Sequence, residues 1–162
     1  MPPLAKTNRH FVIKTVLDAD AVFASKLTGE EGMSRLFEYR IDVCGEGEDV
    51  TYSDVLGTNA TVRLALPDDE TRYFNGFVRE IRFTGTDEHQ WTHHELVLVP
   101  WLWFLTRTAD CRIFQKQDTQ QIIDTVLKEQ GFSDYTFQLT ETYQKRDYCV
   151  QYRETDFNFI SR

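Results

Sequence analysis

A chain of 162 residues with 41% apolar and 27% charged residues has the size and make-up of about one globular domain, not of a disordered segment. Its 18 basic and 26 acidic residues leave a net charge of −8, against the surplus of Lys and Arg that nucleic acid or an anionic membrane surface demands. Twelve Phe, seven Tyr and three Trp favour sheets, because flat rings pack well on a pleated surface.

The elements follow in chain order. The N-terminal residues Met1-Pro2-Pro3-Leu4-Ala5-Lys6 carry no apolar stretch of signal-peptide type, so export has to bypass that route. Strands are predicted over Phe11–Leu17, Leu36–Val43 and Thr61–Leu66, the last closed by a Pro67-Asp68-Asp69 turn. Tyr73–Phe83 reads as a longer strand with a bulge or bend at Gly76. A fifth strand covers Trp91–Leu98 and turns at Pro100; Leu98, Trp101 and Phe104 are expected in the core near that corner. Five antiparallel strands joined by polar turns make a small barrel or sandwich. The run Leu96–Leu105, broken by Pro100, falls short of the roughly 20 apolar residues a membrane span needs.

From Asp118 the period changes. Asp118 with Gln121 forms a capping-box start, Ile122, Ile123, Val126 and Leu127 share one helical face, and Gly131 ends the helix. Tyr135–Leu139 and Tyr148–Tyr152 alternate like strands, and a second helix starts at Thr155 or Asp156, burying Phe159 and Ile160. No Gly or Pro terminates it before Arg162, so the sequence reads as a fragment of a longer protein.

The chemistry-bearing residues are sparse. Cys44, Cys111 and Cys149 are odd in number and far apart, as free thiols of a reducing cytosol are. His89, His93 and His94 lie close together, but adjacent strand positions face opposite sides, so only His93 shares a face with His89; two histidines make a poor metal site, and a structural or surface role is expected. Glu154 and Asp156 could form an acid–base pair, but directly before a helix they read as its N-cap and first-turn acids. Trp101 and Trp103 could form a stacking platform and read instead as core or interface packing. With no Gly-x-Ser-x-Gly elbow and no glycine-rich phosphate loop, the residues assign no catalytic, cofactor-binding or metal site. They describe a scaffold.

Several blocks carry a resemblance. Met33-Ser34-Arg35-Leu36-Phe37-Glu38-Tyr39-Arg40-Ile41 and Arg72-Tyr73-Phe74-Asn75-Gly76 are followed by Leu98-Val99-Pro100-Trp101-Leu102-Trp103-Phe104-Leu105-Thr106-Arg107 and Asp110-Cys111-Arg112-Ile113-Phe114-Gln115. The last block is Tyr148-Cys149-Val150-Gln151-Tyr152-Arg153-Glu154-Thr155-Asp156-Phe157. In order and spacing they resemble the valine-glycine repeat protein G (VgrG) family, the spikes of bacterial type VI secretion, from about Phe11 to Arg162; Asn75 stands where His is common, and the first ten residues match nothing. The resemblance implies a mainly β (α+β) fold: an antiparallel barrel of the phage tail hub type over residues 10–110, then an α/β segment over 111–162 truncated at its C-terminal end. It further implies a non-enzymatic hub that is homotrimeric in the full-length protein and docks on the hexameric tube protein, Hcp. Baseplate components and effectors would be its other partners, with no cofactor, no nucleic acid and no stable membrane insertion. Such a protein is made in the bacterial cytoplasm and released by the secretion machine itself. The competing readings are the baseplate hub of a contractile phage tail or prophage, a peptidoglycan-acting enzyme using Glu154 and Asp156, and a small-ligand barrel with a Trp-lined cavity.

Overall fold

Strands whose every second side chain is apolar cannot stay flat and solvated; they curl around the face they must bury. The computed structural model describes residues 11–16, 22–46 and 51–162, and the chain divides there into two compact units, one ending at Trp101 and the other running from Leu102 to Arg162. The first unit holds β1 (Phe11–Lys14), β2 (Phe23–Glu30), β3 (Glu38–Glu46), a short helix α1 (Tyr52–Val55), β4 (Asn59–Ala65), β5 (Thr71–Thr86) and β6 (Trp91–Val99). They form one antiparallel sheet in the order β1-β4-β5-β6-β3-β2, curled into a half-barrel so that its outermost strands, β1 and β2, approach each other. Tyr39, Ile41 and Val43 of β3 meet Leu98, Leu96 and His94 of β6 in register, all facing the interior. Each fully buried Leu, Ile or Val there contributes roughly 1.5–3 kcal/mol of transfer free energy.

Two glycines are required by close approach. A Cβ on Gly29 would lie 2.4 Å from the Tyr39 ring, which packs over the bare backbone of its cross-strand partner. Freed to lie there, Tyr39 stacks on Phe37 at 4.5 Å, meets Phe74 edge-on at 5.4 Å and donates its hydroxyl to Glu31. Burial, and then that carboxylate, push the phenol pKa up to about 12. Gly76 is not the bulge expected of it: it pairs regularly with Ala60, and its missing Cβ would sit 2.9 Å from the Val99 carbonyl oxygen. The bulges of β5 fall instead between Val78 and Glu80 and between Phe83 and Gly85.

The second unit is a two-stranded antiparallel ribbon, β7 (Ala109–Gln117) and β8 (Arg146–Thr155), backed by α2 (Thr119–Glu129) and α3 (Asp156–Ser161). Asp118 and Gln121 exchange both bonds of the expected capping box, at 2.9 and 3.1 Å. Phe114 of β7 stacks on Phe159 of α3 at 5.7 Å, and Ile122 and Val126 of α2 complete this core.

Other expectations differ in detail. Strand β1 ends at Lys14, and Leu17 lies outside the described residues. Strands β2 and β7 were not foreseen, because a bulge at Ser25 breaks the alternation of β2 and neither strand has a clean period. Tyr135–Leu139 is not a strand: Tyr135 and Phe137 meet edge-on at 5.5 Å, the Tyr135 hydroxyl donates to Asp124 of α2, and no ladder partner is present among the described residues. Leu98 is fully buried as expected, whereas Trp101 and Phe104, in a 3-10 turn over Trp101–Thr106, are only half-buried.

Candidate functional site

The histidine group resolves into a turn, a surface ion pair and a core residue. His89 lies in the exposed turn between β5 and β6, not on a strand. Asp87 organises that turn: its Oδ1 accepts from the backbone N–H of His89 at 2.9 Å and of Trp91 at 3.0 Å, and its Oδ2 lies 3.3 Å from Nε2 of His93. The Trp91 amide, with His93 and the His89 amide, holds the Asp87 carboxyl below the usual range. His94 points inward, buried, with Tyr52 and Phe83 edge-on at 5.7 and 5.6 Å and its Nε2 3.3 Å from the Tyr52 hydroxyl. Its Nδ1 has no hydrogen-bond partner among the described residues. An open cleft of about 450 Å³ reaches these side chains past Ser25, Asp42 and Thr84. Among the described residues no three groups converge as metal ligands.

Burial first, and the nearby His93 second, push the His94 pKa down. A histidine depressed in the folded state takes up its proton more readily when unfolded. The stability it supports is complete above the unfolded pKa of about 6.5 and falls as pH drops below that value, by at most about 1.4 kcal/mol per pH unit. Urea unfolding between pH 7.5 and 5 should show this slope, and His94→Phe should flatten it; an equally steep slope in the variant would remove His94 as its source.

Glu154 and Asp156 are brought to one corner but not to one reaction centre. Thr155, not Glu154, caps α3, accepting from the Asn158 amide at 3.1 Å, while Asp156 lies in the first turn as expected. Asp156 is wholly buried, and its carboxylate accepts from Arg112 at 2.5 Å, Gln151 at 2.7 Å, Thr108 at 2.8 Å and Gln130 at 2.9 Å. Burial raises its pKa, but the Arg112, Gln151 and Thr108 bonds more than offset this, so the group stays below the usual range. Arg112 also pairs with Glu129 at 2.9 Å and Asp110 at 3.3 Å. Glu154 turns away to Arg162, at 2.7 Å, which holds its carboxyl below the usual range. Two carboxylates so fully engaged stay ionised at neutral pH, with no proton to donate to a substrate.

The remaining candidates lie among local contacts. Trp103 is half-buried, with the Arg107 guanidinium over its ring at 5.4 Å and Phe104 edge-on at 5.6 Å. Cys44, Cys111 and Cys149 form no disulfide. Sequence reasoning missed Arg112, Gln151 and Gln130; the signal that could have found them is an arginine two places before an inward-facing phenylalanine on a strand, which implies a buried anion. The ribbon also presents an exposed apolar stripe of Ile113, Tyr148, Val150 and Tyr152 opposite its helix-packed face. No helix among the described residues is long and apolar enough to cross a membrane.

Comparison with known proteins follows the same line. Residues 30–162 match the phage tail baseplate hub (GPD) family. The chain is 38% identical over 159 residues to the type VI secretion system spike protein VgrG1b of Pseudomonas aeruginosa, covering 98% of this chain and 21% of that protein. It is 40% identical over 147 residues to VgrG1a of the same organism, covering 90% and 23%. A solved structure, the Escherichia coli c3393 protein, described as a type VI secretion component similar to the T4 tail proteins gp27 and gp5, shares the fold with a TM-score of 0.82 at 25% identity, over 93% of this chain and 41% of that one. The chain thus spans about a fifth of the length of the curated relatives it matches. The half-barrel agrees with the fold of that solved structure, and the chain belongs to the phage tail baseplate hub family and is homologous to the spike proteins of type VI secretion.

Proposed function

We propose that this chain is the hub portion of a type VI secretion spike and that its work is mechanical, with no catalytic step in these residues. The observation that carries the reading is the 38–40% identity to such spike proteins over nearly the whole chain, on a fold shared with a type VI component at a TM-score of 0.82. The full-engagement of Glu154 and Asp156 supports it, since neither carboxylate is free for acid–base work. In this reading the full-length protein is a homotrimer that docks on the tube protein Hcp and, with baseplate components, carries effectors outward; it leaves the cytoplasm through the machine itself. The stretch of 10–110 is the first hub barrel and 111–162 the α/β segment that follows it.

The test is genetic and biochemical. Deleting the gene for the protein that contains these residues should abolish release of Hcp into the medium, and complementation should restore it. Glu154→Gln in the restored copy should leave release and target killing unchanged. The match to the phage tail hub family favours one second reading, a contractile phage tail. Loss of tail particles with Hcp release intact would establish that reading and overturn the first. Loss of killing in Glu154→Gln, with release intact, would overturn the absence of catalysis.

A further inference from the structure

The dipeptide Asn75-Gly76 lies within β5, and no other asparagine of the chain precedes a glycine. In an open chain this pair is chemically fragile, because a glycine carries no side chain to shield its amide from the neighbouring carboxamide. Here the glycine is obligatory: a Cβ on Gly76 would lie 2.9 Å from the Val99 carbonyl oxygen and 3.2 Å from Cβ of Leu98. Both halves of the pair are held. Asn75 is exposed, and its Nδ2 has three acceptors: Asn59 Oδ1 and Thr61 Oγ1, each at 2.7 Å, and the Ala60 carbonyl at 3.3 Å. Its Oδ1 accepts from Asn59 Nδ2 at 3.2 Å. Along the same ladder the Val78 amide donates to the Thr58 carbonyl at 2.9 Å, and the Leu66 amide to the Glu70 carbonyl at 2.8 Å. An antiparallel ladder bonds every second residue, so Gly76, paired with Ala60, has its amide committed to β4.

We propose that Asn75-Gly76 is a latent deamidation site, closed by the pairing of β4 with β5 and opened when those strands part. In the reaction the Gly76 nitrogen loses its proton to solvent base and attacks Cγ of Asn75. The new C–N bond closes a succinimide ring, and ammonia leaves. Water then opens the ring at either carbonyl, giving aspartate or isoaspartate. Nothing is oxidised or reduced, and water is the one co-reactant. Ring closure needs a free Gly76 amide, and it needs Asn75 to leave the extended ψ of about +135° that a strand imposes. The ladder denies both. The product does not revert. A carboxylate at position 75 would face the Ala60 carbonyl with no hydrogen to offer it, and isoaspartate adds a methylene to the backbone, putting the two halves of β5 out of step with β4. Each separation of the two strands is therefore a chance of permanent damage.

The test follows deamidation in the 162-residue chain, by the mass of the peptide that holds residue 75 and by enzymatic methyl transfer onto isoaspartate. In mildly alkaline buffer the folded chain should deamidate at Asn75 at least about a hundredfold more slowly than the chain unfolded in urea, since an interior ladder opens rarely. Below the unfolding midpoint, the logarithm of the folded-state rate should rise linearly with urea, because the opening exposes surface. Val62→Ala thins the core under β4 without touching the pair, and should raise the folded-state rate about tenfold. Should that variant fail to fold, the urea series on the wild-type chain decides alone. A folded-state rate within about threefold of the unfolded one would overturn the inference, as would a rate indifferent to urea below the midpoint.

Discussion

Replacing Asp156 by Ala is expected to destabilise the second unit by about 3–5 kcal/mol, the cost of leaving a buried ion pair without one partner. The carboxylate is the common acceptor for side chains from four places: Thr108 ahead of β7, Arg112 in β7, Gln130 after α2 and Gln151 in β8. Its removal takes from the Arg112 guanidinium its one fully buried carboxylate, leaving it Glu129, Asp110 and the Gln151 oxygen, and leaves the Gln151 NH2 group donating only to the Glu154 carbonyl. Asp156→Asn should lose less, since it keeps the shape and one acceptor oxygen but forfeits the charge that answers Arg112. Denaturant unfolding followed by hydrogen exchange in α2 and β8 gives the measurement. A loss below about 1 kcal/mol for the alanine variant would show that the network is incidental to stability.

Leu98→Ala should cost roughly 2–5 kcal/mol in the first unit, towards the upper part of that range. Leu98 has no exposed surface and sits between Tyr39 of β3 and Val78 of β5 in register. All three strands are held by ladders on both sides, so the wall cannot collapse into the hole, and the cavity term adds to the lost transfer free energy. Leu139→Ala is the control: 43% exposed, it should change stability by no more than about 0.5 kcal/mol. A small loss at Leu98 would mean that the half-barrel repacks freely, contrary to a close-packed interior.

Where local chemistry decides an element, the sequence showed it. Asp118 and Gln121 make a capping box whose bonds are wholly local, so helix α2 could be placed to the residue. Strand β6 was legible because it ends in the apolar run Leu96–Val99 and is closed by Pro100. Strand β2 was hidden because its ladder partner is a distant segment and a bulge at Ser25 scrambles its alternation. Tyr135–Leu139 failed the other way: its alternation is real, yet alternation only offers a face, and Tyr135 found Asp124 on a helix in place of a neighbouring strand. For the site, the spacing of Glu154 and Asp156 announced acids before a helix. It could not announce that Asp156 would meet an arginine 44 residues away, because no local rule encodes that contact.

The β7–β8 ribbon carries a hidden ambiguity of orientation. Ile113 and Val150, flanked by Tyr148 and Tyr152, make its outward side at least as apolar as the inward pair of Phe114 and Cys149. A rotation of the ribbon that exchanged its two sides would therefore meet little opposition from hydrophobic burial alone, since a one-residue slip moves the whole set across. What forbids it is polar: Arg112 and Gln151, neighbours in register, would be carried away from Asp156 into solvent, abandoning a charge inside the protein. Oily surface makes the ribbon adhere to its helices, and one carboxylate tells it which side to turn down.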